Sequence, residues 1–138
     1  MAKRGIVAFI AGFVATLVFH QAVIWCLHNF GYVPRAPWSM TPVPPFGIPA
    51  VISLAFWGGV WGVIMMLLIA RWRGAAFWIA AILFGAIFPT LVAWFVVAPL
   101  KHMPIAGGWN PKTMMVGLLV NGVWGFGTAL IYRVFVPR

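Results

Sequence analysis

The sequence predicts an all-α membrane protein: four transmembrane helices set as two tandem parallel-repeat helical hairpins, with both termini in the cytoplasm. Three observations carry this. The 138-residue chain is 64% hydrophobic and 7% charged, whereas soluble domains average about 45–50% apolar and about 25% charged residues. It contains no Asp or Glu, so its nine formal charges are all Lys or Arg. Four apolar stretches, roughly 5–27, 49–70, 75–99 and 113–132, hold about 20 residues or more, enough at about 1.5 Å per residue to cross a hydrocarbon core of about 30 Å. Only a helix satisfies its own backbone in lipid without closing a barrel. The length allows a single transmembrane domain, residues 1–138.

The missing acids exclude whole classes of function. Paired-carboxylate catalysis, carboxylate-ligated metals and Asp/Glu proton relays have no residues here to run on. The small multidrug carriers share a four-helix layout, but they work through a membrane-embedded Glu that this chain lacks. Nucleic acid is not an expected partner either, because the basic residues stand singly at segment ends instead of forming a patch. Cys26 is the one cysteine, which excludes an internal disulfide and a thiolate metal cluster. It reads as a small residue packed near a helix end.

The first helix follows "MAKR" and contains His20 and Gln21. Its apolar region exceeds a signal-peptide core and shows no A-x-A site, so it is expected to be retained. The loop that follows, "YVPRAPWSMTPVPPFGIP", carries six prolines. They exclude a regular helix and favour extended backbone, serving as a rigid connector or as a stiff lid. Helix two contains "FWGGVWG", and helix three contains Pro89. Helix four is announced by "GGWNPK", a turn in which Asn110 and Pro111 cap the helix start. Lys3, Arg4, Arg71, Arg73, Arg133 and Arg138 fall on one side, and Arg35, Lys101 and Lys112 on the other. The excess of positive charge places the first group, and both termini, inside.

The two halves repeat. "RGIVAFIAGFVATLVFHQAVIW" (4–25) aligns without a gap on "RGAAFWIAAILFGAIFPTLVAW" (73–94), with seven of 22 positions identical. "APW" at 36–38 then faces "GGW" at 107–109, and "GVWG" at 59–62 returns at 122–125. Features in the same order indicate a duplicated hairpin, approximately 4–72 and 73–138. Each unit starts and ends on the same side, so the repeats are parallel.

Small residues four apart mark where helices close on one another, because lipid supplies little hydrophobic drive between them. The expected packing seam is Gly12, Gly58, Gly62, Gly85, Gly117 and Gly125. Trp57, Trp61 and Trp124 are expected to fill the adjacent grooves, in preference to lining a ligand site. The remaining tryptophans read as interfacial belts, with Trp25, Trp38, Trp94 and Trp109 outer and Trp72 and Trp78 inner.

Five polar residues form a layer in the outer third: His20, Gln21, Thr90 and Asn121 at similar depth, and Ser53 somewhat shallower on helix two. Polar groups at such depth face the bundle interior. They form either interhelical hydrogen bonds or a small binding or permeation site, with His20 as the one member able to change charge near neutral pH. His20 and His28 lie about two turns apart along one helix, so they cannot share one iron. No cofactor and no metal is expected. No nucleophile elbow, zinc motif, phosphate loop or nucleotide fingerprint is present, so the chain does not read as an enzyme.

"FHQ", "APWSMTPVPPFGIPAVISLAFWGGVWG", "LVAWFVVAPLK" and "NGVWGFGTAL" together resemble a group of small uncharacterised four-helix inner-membrane proteins of Proteobacteria, over nearly the whole chain. The resemblance implies a multi-pass protein of the bacterial inner membrane and implies no activity. The expected role is a structural or accessory subunit, with the lipid bilayer and either a second copy or a larger membrane complex as partners. The alternative is a small oligomeric channel or carrier for a neutral or anionic solute, built on the polar layer and the basic outer rim.

Overall fold

The computed structural model describes residues 2–138. Four helices carry the fold: α1 Ala2–Asn29, α2 Ala50–Ile69, α3 Gly74–Leu100 and α4 Pro111–Phe135. Each is long and apolar enough to cross a membrane, which makes this a multi-pass membrane protein. Two short strands, β1 Pro42–Val43 and β2 Ile48–Pro49, pair antiparallel in the loop between α1 and α2.

Local chemistry sets the boundaries. α1 ends at Gly31, whose φ of +78° suits glycine. There Tyr32 N–H reaches Leu27 O and Gly31 N–H reaches His28 O, the paired bonds that close a helix C-terminus. α4 opens on Asn110, whose Oδ1 accepts from Lys112 N (3.0 Å) and Thr113 N (3.4 Å), with Pro111 at the first helical position, where no N–H is missed. The proline-rich loop is extended and folds into the β1–β2 ribbon, and Phe46 at its tip is 83% exposed.

α1 packs on α2, α3 packs on α4, and α1 and α4 form the central contact; α2 and α3 touch slightly, with Trp61 against Phe84 (ring centroids 6.0 Å). The main core lies toward the face that carries the termini. It holds Ala8, Ala11 and Ala15 from α1, Met65 and Ile69 from α2, Phe77 and Phe84 from α3, and Trp124 and Tyr132 from α4. A smaller cluster, Ile24, Val33 and Val120, fills the opposite end.

The backbones meet where side chains are missing. A Cβ on Gly12 would strike Gly58 O, and one on Gly62 would come within 2.6 Å of Ala8 O. In the other pair, a Cβ on Gly125 would strike Ala81 O, and one on Gly85 would meet Asn121 O at 2.5 Å. Gly117 is different. It faces the Trp94 and Thr90 side chains at ordinary contact distance, outside the tight seam.

The contacts also shift the internal alignment. Gly62 touches Ala8 and Gly12, whereas Gly125 touches Ala81 and Gly85. By contact, Gly12 therefore answers to Gly85, one helical turn beyond the Ala81 that the gapless alignment assigns to it. The reason is steric: closest approach needs the residue without a Cβ, whatever its neighbours spell.

Two other expectations are corrected. Trp57 does not fill a groove; it is 57% exposed on the outside of α2. Cys26 is exposed, not packed. Trp124, by contrast, is 3% exposed and donates from Nε1 to Gly12 O (3.1 Å), tying α4 to α1.

Candidate functional site

The polar residues of the half away from the termini gather in one cluster, made of two hydrogen-bonded runs. The first begins in the loop, where Trp38 N–H donates to Gln21 Oε1 (2.8 Å). Gln21 Nε2 donates to His20 Nδ1 (3.0 Å), which leaves the ring proton on Nε2. The Asn121 side chain lies beside the His20 ring, and Arg35 of the loop is close by. Asn121 Nδ2 donates to Thr90 Oγ1 (2.8 Å), and Thr90 Oγ1 donates to Gly117 O (3.5 Å). One run ties the loop to α1, the other ties α4 to α3, and the two meet where Asn121 stands beside His20. Consecutive bonds of this kind polarise one another.

Four of the five expected polar residues, His20, Gln21, Thr90 and Asn121, come together. Ser53 does not, because no hydrogen bond among the described residues links it to the others. Gln21 and Thr90 are buried, and His20 and Asn121 are half-buried.

A backbone irregularity makes the first run possible. Residues Thr16–His20 form a π turn, in which the Gln21 N–H is directed at Thr16 O and Val18 O. Leu17 O thereby loses its usual helical donor, and Trp38 Nε1 supplies another (2.7 Å). Trp38 is thus latched twice to α1, through its amide and its indole. Its φ of +51° is unfavourable for a bulky residue, and the two bonds hold it there. π turns inside long helices often sit at functional positions. No side-chain pattern announced this one. The only hint was the aromatic residue among prolines, which reads equally well as an interfacial belt.

Arg133 organises the opposite end. Its guanidinium donates to Ala70 O (2.7 Å) and Trp72 O (3.0 Å), closing the C-terminus of α2, and to Val136 O (3.4 Å). It lies over the Phe77 ring at 3.8 Å from the centroid. By sequence Arg133 is a topology marker alone; its capping role arises only where the ends of α2 and α4 meet.

Comparison with protein-family models, with curated proteins and with solved structures finds no match. The site must therefore be read from its own chemistry. The cluster contains no carboxylate, and its Thr90 hydroxyl and His20 ring are not paired with each other as nucleophile and base. Among the described residues, no buried side-chain nitrogen or oxygen lacks a partner. Within the cluster, Gln21 bonds through both its donor and its acceptor, and Thr90 bonds to two partners.

Proposed function

We propose that this protein is a non-enzymatic structural or accessory subunit of a membrane assembly in the bacterial inner membrane. The observation that supports this reading best is the internally bonded polar cluster, with Trp38, Gln21 and His20 in one run and Asn121, Thr90 and Gly117 in the other. Polar residues at membrane depth that bond each other fix helix register and cost nothing in unpaired groups. The same reading takes the molecule as two duplicated hairpins with both termini inside. The similar backbone contacts at Gly12/Gly62 and Gly85/Gly125 support the duplication, and the six basic residues near the terminal face support the orientation. The resemblance to small inner-membrane proteins of Proteobacteria accords with it. The partner is a second copy of this chain or a larger membrane complex.

Extraction in mild detergent followed by native pull-down tests the proposal. The expected result is a fixed stoichiometric partner or a defined homo-oligomer, together with no solute flux in proteoliposomes. A chain that travels alone and conducts a solute, with flux abolished in folded His20→Ala or Asn121→Ala, overturns it in favour of a channel or carrier.

A further inference from the structure

The terminal face carries a cavity of about 240 Å³ whose walls include Trp72, Arg73, Phe77, Trp78, Arg133 and Arg138. A smaller one of about 40 Å³ adjoins it, adding Arg4 and Arg71 while sharing Arg133 and Arg138. Five guanidinium groups thus gather at one end of a chain with no Asp or Glu, so no acidic side chain of the protein can neutralise them. Arg133 is held in place by three carbonyls and the Phe77 ring. Its fork is preorganised, and it keeps N–H donors beyond those three bonds. Arg73 and Arg138 stand exposed at the rim and make no side-chain hydrogen bond among the described residues. Trp72 is exposed and Trp78 half-buried beside them, the arrangement of amphipathic rings at headgroup level.

From these observations we infer that the terminal face holds the phosphate of an anionic phospholipid, gripped by Arg73, Arg133 and Arg138 with the tryptophans against the glycerol and upper acyl chain. Planar guanidinium forks match phosphate geometry, and basic pockets at the ends of membrane helices recognise charged headgroups. The cavity lies at the helix ends, where a bilayer places its phosphates. The inference rests on the protein residing in a membrane, but not on its being an accessory subunit.

Native mass spectrometry of the purified protein tests it, with phosphatidylglycerol, phosphatidylcholine and inorganic phosphate as probes. Phosphatidylglycerol should be retained in preference to phosphatidylcholine, and each rim arginine removed should lower that preference about fivefold. The variant is Arg73→Gln/Arg138→Gln, which leaves the Arg133 contacts intact. The charge-matched control is Arg35→Gln/Lys101→Gln on the opposite face, which should keep the preference. Arg133→Gln should lower it further, with circular dichroism reporting whether α2 stays closed. Equal retention of the two lipids overturns the inference, as does equal loss in the control. Displacement of the lipid by millimolar inorganic phosphate assigns the site to a free anion and also overturns it. Any of these results leaves the membrane protein itself, and its partner reading, standing.

Discussion

The α1–α2 seam and the α3–α4 seam solve one problem with different residues. Both bring two helix backbones together over glycine, at Gly12 against Gly58 and Gly62 in the first and at Gly85 against Gly125 in the second. Where α2 has Gly58, α4 has Asn121. In the first seam the space above Gly58 is taken by Thr16, whose hydroxyl donates to Gly12 O of its own helix (2.9 Å). In the second, the Asn121 amide reaches across to Thr90. One seam is closed by backbone and a locally satisfied hydroxyl; the other carries a side chain outward into the polar cluster. A close backbone approach is therefore compatible with a polar contact, provided the opposing helix leaves room beside it.

The largest effect should come from adding one carbon to either seam. In Gly12→Ala the new methyl meets Gly58 O, and in Gly125→Ala it meets Ala81 O. Both obstacles are backbone, which cannot rotate away, so each change should cost about 1–3 kcal/mol or more. Chemical unfolding in detergent, followed by tryptophan fluorescence, measures it. Similar losses keep the seams equivalent; a tolerated Gly125→Ala beside a damaging Gly12→Ala breaks the comparison.

Exchanging the two residues that differ sharpens it. Gly58→Asn must displace Thr16 Oγ1 and approaches Gly12 O, so it should again cost about 1–3 kcal/mol. Asn121→Ala removes no backbone contact and forfeits the bond to Thr90, an interhelical hydrogen bond of about 0.6–2 kcal/mol. The asymmetry, Gly58→Asn above Asn121→Ala, is the outcome to check by the same unfolding measurement. The reverse order would mean that the polar cluster, not the glycine seam, holds the bundle.

Parts of this arrangement were legible in the sequence for a physical reason. Apolar runs of helix-spanning length give α1 to α4 to within a few residues, because short of a closed barrel only a helix satisfies its backbone in lipid. Asn-Pro before α4 announces its cap, because the side-chain oxygen and the missing N–H fit only there. Small residues four apart disclose where backbones close. The rest depends on relations that spacing does not carry. A π turn at Thr16–His20 leaves the pattern of residue types unchanged, yet it frees Leu17 O for Trp38. Trp57 and Trp124 each precede a seam glycine, Gly58 and Gly125, but helix rotation turns one to the surface and the other to the core. Arg133 reads as an inside charge, while its reach to Ala70 and Trp72 exists only once α2 and α4 end side by side. Ser53, somewhat shallower by sequence, bonds to none of the others among the described residues, a relation that depth alone does not carry.

The smallest expected effect is also the most direct test of how far the repeated spelling reflects repeated structure. Gly59 and Gly122 occupy the same place in the two "GVWG" copies. A Cβ on Gly59 would sit 2.6 Å from the Phe9 ring, whereas one on Gly122 would lie 3.5 Å from the Ala86 methyl, an ordinary contact. Gly122→Ala should therefore be neutral or slightly stabilising, since Ala is favoured over Gly within a helix by up to about 1 kcal/mol. Gly59→Ala gains the same propensity but must push Phe9 aside, and the ring also contacts Phe56 (centroids 5.8 Å), so it should come out less stable than Gly122→Ala. Paired unfolding curves for the two variants decide it. Equal stabilities would mean that the two copies are interchangeable in packing as well as in spelling, and that the one-turn shift between Gly12 and Gly85 has no energetic consequence.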